Sequence, residues 1–153
     1  MMKTVLQTVA VPVFGLIMLN AAFIFDWGYQ SLLRYVILKP LMIDAMMIEG
    51  HWLPPAMHAS FVVIIGLISW PILKSKLNTL IKAIYLTVPT AVVFATVGIF
   101  LYKWPVIEFT VGGIISLGVL YYLYATKKSW LYYYAICLVG AALLAVGILG
   151  IDI

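Results

Sequence analysis

The sequence predicts an all-α, polytopic integral membrane protein with five transmembrane helices and an interfacial or re-entrant helical segment between the first two. Five apolar stretches of about 20 residues fill most of the 153-residue chain, and a stretch of that length spans a bilayer as a helix. Only 9% of the residues are charged, against about 25% in soluble domains. No stretch alternates like a barrel strand, so we expect helices to satisfy the backbone groups in lipid.

The first apolar stretch predicts a helix over about 4–25, preceded by the basic residue Lys3. A secretory signal peptide is the alternative, because it also begins with a basic residue. The apolar run exceeds the roughly 7–15 residues of a signal core, and no small-residue cleavage site follows it. We therefore expect this helix to be retained in the protein.

The remaining four stretches complete a single transmembrane domain covering 1–153. Pro54 and Pro55 fall in the first turn of the second helix, where a missing N–H costs little. Pro89 lies inside the third helix and predicts a kink, because it removes one backbone hydrogen bond and its ring crowds the preceding turn. The four predicted helices cover about 53–73, 80–101, 105–125 and 130–150.

The longest connection, about 28–50, mixes apolar residues with charges. Arg34, Lys39, Asp44 and Glu49 make a membrane crossing costly, and Pro40 interrupts any continuous helix near the middle. The pattern favours one or two short helices that lie in the interface or dip into it and return. A genuine sixth span is the alternative.

The charges divide between the two sides of this threading. One side collects six lysines, and the other collects the remaining three basic residues with all five acidic residues. Short basic loops stay in the cytoplasm, so the N-terminus is predicted inside and the C-terminus on the opposite side of a cell membrane. The tryptophans agree, because each falls at a predicted interface. The six lysines are Lys3, Lys74, Lys76, Lys82, Lys127 and Lys128.

Three polar residues inside predicted spans are the first candidates for a functional site. Asn20, His58 and Glu108 lie on three different helices, each roughly 6–9 Å below the outer boundary at 1.5 Å per residue. At a common depth they could line one shallow cavity that binds a small or amphipathic molecule or handles protons. The structural alternative stays open: Glu108 reaches the interface or pairs with Lys103, and the other two bond locally.

A second candidate site lies in the outer loop. Asp44, Glu49 and His51, together with His58, offer oxygen and imidazole ligands for a metal ion. Their spacing fits no ligand pattern, so we predict no metal. His58 as an axial ligand of a tetrapyrrole is a further alternative, but we predict no cofactor. Cys137 is the only cysteine, so an internal disulfide is excluded.

The leading prediction of function is therefore binding or transport of a small or amphipathic molecule at the outer-side polar site. One alternative is an accessory subunit of a larger membrane complex, because no nucleotide-binding loop, zinc-protease motif or serine elbow occurs. Another is an enzyme acting on a lipid or quinone, with His58 and either Glu49 or Glu108 as acid and base. We expect membrane lipid as a partner, other membrane subunits or a second copy as alternatives, and no nucleic acid, because the net charge of +4 comes from short loops.

Overall fold

The computed structural model describes residues 2–39, 53–101 and 103–149, and this part of the chain is helical with no strand, as predicted. Five long helices follow one another along the chain. They are α1 (Met2–Leu32), α2 (Leu53–Lys74), α3 (Thr79–Leu101), α4 (Pro105–Ala125) and α5 (Trp130–Leu149), and a π-helical segment, Leu33–Leu38, extends α1.

Four of these helices are long and apolar enough to cross a membrane: α1 with its extension, α2, α3 and α4. The fifth, α5, is 20 residues long, which is about the length that a hydrocarbon core requires. Aliphatic and aromatic side chains cover the outside of the helices, as expected where lipid rather than water is the solvent. The helices therefore indicate a multi-pass membrane protein.

The first helix is longer than the sequence pattern predicted. Instead of ending near Phe25, α1 continues to Leu32 and then through the π-helical segment. Two polar residues of this stretch pair with each other: the Gln30 amide donates to Asp26 Oδ2 at 2.9 Å, one turn away on the same helix. Because Asp26 is paired inside the helix, it does not terminate the helix. Residues 28–38 thus extend α1 rather than forming a separate interfacial helix, and the rest of that segment, 40–50, lies outside the described residues.

The third helix is the centre of the bundle, because α3 contacts each of the other four long helices. One core cluster joins α2 and α3 through Phe61, Ile65, Val88 and Val92, with partly buried residues of α1 packed against it. A second cluster joins α1, α3 and α5 through Val11, Ala83, Leu131 and Ala135. The third helix also packs against α4.

Proline 12 creates a specific contact between the first and last helices. Proline has no N–H, so Pro12 leaves the Thr8 carbonyl without its intrahelical donor. The Tyr134 hydroxyl of α5 donates to that oxygen at 3.1 Å. An unpaired carbonyl in lipid would cost several kcal/mol, so this bond ties the beginnings of α1 and α5 to the same end of the bundle. Pro89 lies inside α3, and the kink expected there stays a prediction.

The two ends of the bundle differ in charge. We call one the basic end, which carries Lys74, Lys76, Lys82, Lys127 and Lys128, and the other the acidic end, which carries the two described acids, Asp26 and Glu108, together with Arg34, Lys39 and Lys103. At the basic end the Lys82 ammonium donates to the Leu73 carbonyl at 2.9 Å and to the Ser75 carbonyl, so it caps the C-terminus of α2.

The C-terminus of α4, also at the basic end, is closed by a left-handed residue. Lys127 has φ 50°, and its N–H donates to the Tyr124 carbonyl at 3.0 Å. The next N–H, of Lys128, donates to the Leu123 carbonyl at 3.0 Å. This pair of bonds is the Schellman arrangement, which usually has glycine at the left-handed position. The backbone of the connection thus satisfies two of the last carbonyls of α4.

Candidate functional site

The structure does not bring Asn20, His58 and Glu108 together. The Asn20 side chain is exposed on the outside of α1, and its amide donates to the Leu16 carbonyl of the same helix at 2.8 Å. An asparagine that points away from the bundle satisfies its donor on its own backbone. Asn20 therefore contributes to neither the site around His58 nor the site around Glu108, which are described below.

His58 is buried between α2 and α3, where its partner is a hydroxyl group. Its Nε2 lies 3.1 Å from Thr96 Oγ1. The Thr96 hydroxyl already donates its only proton to the Val92 carbonyl at 2.6 Å. The oxygen of Thr96 must therefore accept from His58, so the imidazole carries a hydrogen on Nε2.

The other imidazole nitrogen faces a carboxylate that the sequence analysis did not select. His58 Nδ1 lies 3.9 Å from Asp26 Oδ2, and the two side chains are 11% and 16% exposed. The second carboxylate oxygen, Oδ1, is buried without a hydrogen-bond partner. With Nε2 protonated, the Nδ1 lone pair of a neutral imidazole points at this carboxylate.

The space around this pair is too small for an organic ligand. A cavity of about 30 Å³ lies among α1, α2 and α3, beside Asp26 and His58. That volume accommodates a water molecule, which needs polar partners such as Asp26 Oδ1. Aromatic rings lie beside the pair. The centroid of the Phe61 ring is 6.2 Å from that of the His58 ring and 5.9 Å from that of the Phe25 ring. The cluster therefore has room for a water molecule but not for an organic ligand.

Glu108 lies in the first turn of α4, where a carboxylate also interacts favourably with the helix dipole. Its side chain is half-buried against Gly98 of α3, and a β-carbon built on Gly98 would lie 3.3 Å from Glu108 Oε1. Glycine thus leaves the space that the carboxylate uses. Within the described ranges, the ion pair that the structure shows joins His58 to Asp26 rather than involving Glu108.

Glu108 borders a larger cavity, which we call the Glu108 groove. It has a volume of about 250 Å³ and lies among α3, α4 and α5. Apart from Glu108 and one serine, the residues around it are apolar or glycine. They are Phe94, Val97, Glu108, Phe109, Gly112, Gly113, Ser116, Gly140, Leu143 and Leu144.

The two polar sites lie on opposite faces of α3. Val92 and Ala95 of α3 face the His58 cavity, whereas Phe94 and Val97 face the Glu108 groove, and the two cavities share no residue. The common depth of His58 and Glu108 therefore does not place them in one pocket, because the central helix separates them. The predicted acid–base pair of His58 with Glu108 has no shared cavity in which to act.

The outer-loop candidates Asp44, Glu49 and His51 lie outside the described residues. Among the residues with a described structure, no group of three histidine, cysteine, aspartate or glutamate side chains is arranged to hold a metal ion. The alternative acid–base pair of His58 with Glu49 likewise falls outside the described part of the chain.

Sequence reasoning missed Asp26, Gln30 and Thr96 as members of the polar cluster. Asp26 was assigned to a loop because the predicted first helix ended one residue before it. A signal was present: Asp26 and Gln30 are four residues apart, the spacing at which side chains pair along a helix. Thr96 carried no signal, since threonine occurs throughout apolar helices with its hydroxyl bonded to its own backbone.

Comparisons of this chain with protein-family models, with curated proteins and with solved structures gave no match.

Proposed function

We propose that this protein binds a small amphipathic molecule with a cationic head in the Glu108 groove. The observation that carries the proposal is a single carboxylate beside a cavity that is otherwise mostly apolar. A protonated amine on the ligand would neutralise Glu108, and an apolar tail would lie against Phe94, Phe109 and the glycines of α4.

The position of the groove supports an amphipathic rather than a fully polar ligand. Glu108 is in the first turn of α4, close to the predicted interface, whereas Ser116 lies about 12 Å deeper along the same helix. A ligand head would therefore stay at headgroup depth while its tail reached into the apolar part of the membrane. A carboxylate in such a partly dry site is costly without a counter-charge, which favours a cationic head over a neutral one.

Binding of octylamine to the protein in lipid nanodiscs tests the proposal. We expect wild-type protein to bind octylamine more tightly than octanol, which has the same tail and no charge. Glu108→Gln should weaken octylamine binding about 10- to 100-fold, the range for losing a hydrogen bond to a charged group, and leave octanol unchanged.

Asp26→Asn is the matched control, because it removes the other described carboxylate of the acidic end from a cavity that octylamine cannot enter. Protein-free nanodiscs correct for partitioning into lipid. Equal binding of octylamine and octanol by the wild-type protein, or equal losses in Glu108→Gln and Asp26→Asn, would contradict a specific role for Glu108.

We also propose that the basic end faces the cytoplasm of a cell membrane, with the N-terminus inside and the C-terminus on the opposite side. The support is the position of the lysines in the short connections between α2 and α3 and between α4 and α5. The Glu108 groove would then receive its ligand from the outer leaflet or the outer solution.

A further inference from the structure

A second cavity, at the basic end, has a charge opposite to that of the Glu108 groove. It has a volume of about 430 Å³ and lies among α2, α3, α4 and α5. Two lysines, Lys74 and Lys128, border it together with Trp70, Tyr122 and Tyr132. The other residues around it are aliphatic. We call it the lysine cavity, because the two lysines lie at its opening and aliphatic side chains line its interior.

No carboxylate of the described residues lies near the two lysines. Among the described residues the acids are Asp26 and Glu108, and Glu108 is separated from Tyr122 by about 20 Å along α4. The adjacent helix ends do not need these ammonium groups either. Lys82 caps the carbonyls at the end of α2, and backbone N–H groups cap those at the end of α4.

One of the lysines is held in position at the mouth of the cavity. The Lys74 ammonium lies 3.9 Å from the centre of the Trp70 ring, a cation–π contact that keeps the charge at the level of an interfacial tryptophan. This contact uses the charge but leaves the N–H donors available. Tyr122 and Tyr132 add phenol hydroxyl groups, which also donate hydrogen bonds.

The floor of the lysine cavity continues towards the middle of the bundle. Leu73, Leu86, Val119 and Ile136 also border a neighbouring apolar cavity of about 190 Å³, which extends along α3 and α4 to Phe94. A free anion would use only the lysines. An occupant that also fills the apolar continuation must carry a hydrocarbon chain beneath its anionic head.

We propose that the lysine cavity binds an anionic phospholipid, with its phosphate between Lys74 and Lys128 and one acyl chain along the apolar continuation. Basic pockets between membrane helices recognise acidic headgroups in this way. The headgroup position lies at the other end of the bundle from Glu108 and has the opposite charge, so it does not rest on the proposed amine binding; only the apolar continuation meets the Glu108 groove, at Phe94 and Ser116.

Native mass spectrometry of the detergent-solubilised protein, titrated with dioleoylphosphatidylglycerol or dioleoylphosphatidylcholine, tests this assignment. The two lipids have the same chains and differ in net charge. We expect the wild-type protein to bind the anionic lipid about tenfold or more tightly than the zwitterionic one, the scale expected for two lysines near an acidic headgroup. This comparison needs no variant.

A pair of double variants then locates the site. Lys74→Asn with Lys128→Asn should abolish the preference for phosphatidylglycerol. Lys76→Asn with Lys127→Asn removes the same charge from the basic end without touching the cavity, and should keep the preference within about twofold of wild type. Thermal unfolding establishes that both double variants are folded.

Three results would overturn the inference. Equal affinity of the wild-type protein for the two lipids would remove the headgroup preference. Equal losses in the two double variants would show that only the total charge of the basic end matters. Displacement of phosphatidylglycerol by millimolar inorganic phosphate would show that the lysines take a free anion instead of a lipid.

Discussion

At the scale of single residues, which cavity a polar side chain borders depends more on its direction around the helix than on its depth in the membrane. His58 and Glu108 occupy comparable depths, but they face α3 from opposite sides. Each consequently has its own surroundings. The imidazole of His58 donates to Thr96 and has a carboxylate beside its other nitrogen, whereas the carboxylate of Glu108 borders a groove that is otherwise mostly apolar.

We predict that Thr96→Val releases the imidazole of His58 from its fixed tautomer. Valine cannot accept the Nε2–H hydrogen bond, so a buried donor loses its partner at a cost of about 1–3 kcal/mol in the free energy of unfolding. Unfolding by sodium dodecyl sulfate measures that cost. Nitrogen-15 NMR of labelled histidine should show His58 with its hydrogen on Nε2 in the wild type and a mixture of tautomers in the variant.

Thr110→Val is the control for this substitution. The Thr110 hydroxyl is exposed and donates to the Val106 carbonyl of its own helix, so no other side chain depends on it. A loss of stability as large as that of Thr96→Val would show that the cost comes from exchanging threonine for valine rather than from the contact with His58.

At the scale of helices, close approach of backbones replaces the hydrophobic effect as the main source of association in lipid. The closest such contact that we describe joins α1 to α3 at Gly15. A β-carbon built on Gly15 would lie 3.0 Å from Thr87 Cγ2. Thr87 is 1% exposed and donates to the Ile84 carbonyl at 2.7 Å, so its side chain has little freedom to move away.

We predict that Gly15→Ala separates α1 from α3 and lowers the free energy of unfolding by about 1–3 kcal/mol, as overpacking does in a close-packed interior. The same detergent unfolding measurement applies. Gly66→Ala on α2 is the comparison, because a β-carbon there meets nothing within 4 Å. If both substitutions were equally harmful, the Gly15 contact would not be the cause.

At the scale of the whole molecule, the helices sort the charged residues between two ends. Bonds between distant helices fix which ends lie together: Tyr134 donates to Thr8 at one end, and His58 meets Thr96 and Asp26 at the other. Such pairings support alternating directions for the five helices. The orientation of the bundle across the membrane then follows from one labelling experiment.

We predict that Lys103→Cys, between α3 and α4, reacts with a membrane-impermeant maleimide in intact cells. Lys76→Cys, between α2 and α3, should react only after the cells are permeabilised, because short basic connections remain in the cytoplasm. Both are made in a Cys137→Ser background, which removes the only native cysteine. Labelling of Lys76→Cys but not Lys103→Cys in intact cells would reverse the proposed orientation.

The sequence by itself determined the all-α fold class and the approximate helices, because hydrocarbon length and the cost of charge in lipid act on each segment separately. It misplaced the end of α1, since the partner that keeps Asp26 within the helix is Gln30, beyond the expected boundary. It also predicted one shared site for His58 and Glu108, because the sequence gives the depth of a residue along its helix but not the direction of its side chain. Only the tertiary structure decided which side chains share a cavity, since that depends on how each helix is rotated against α3.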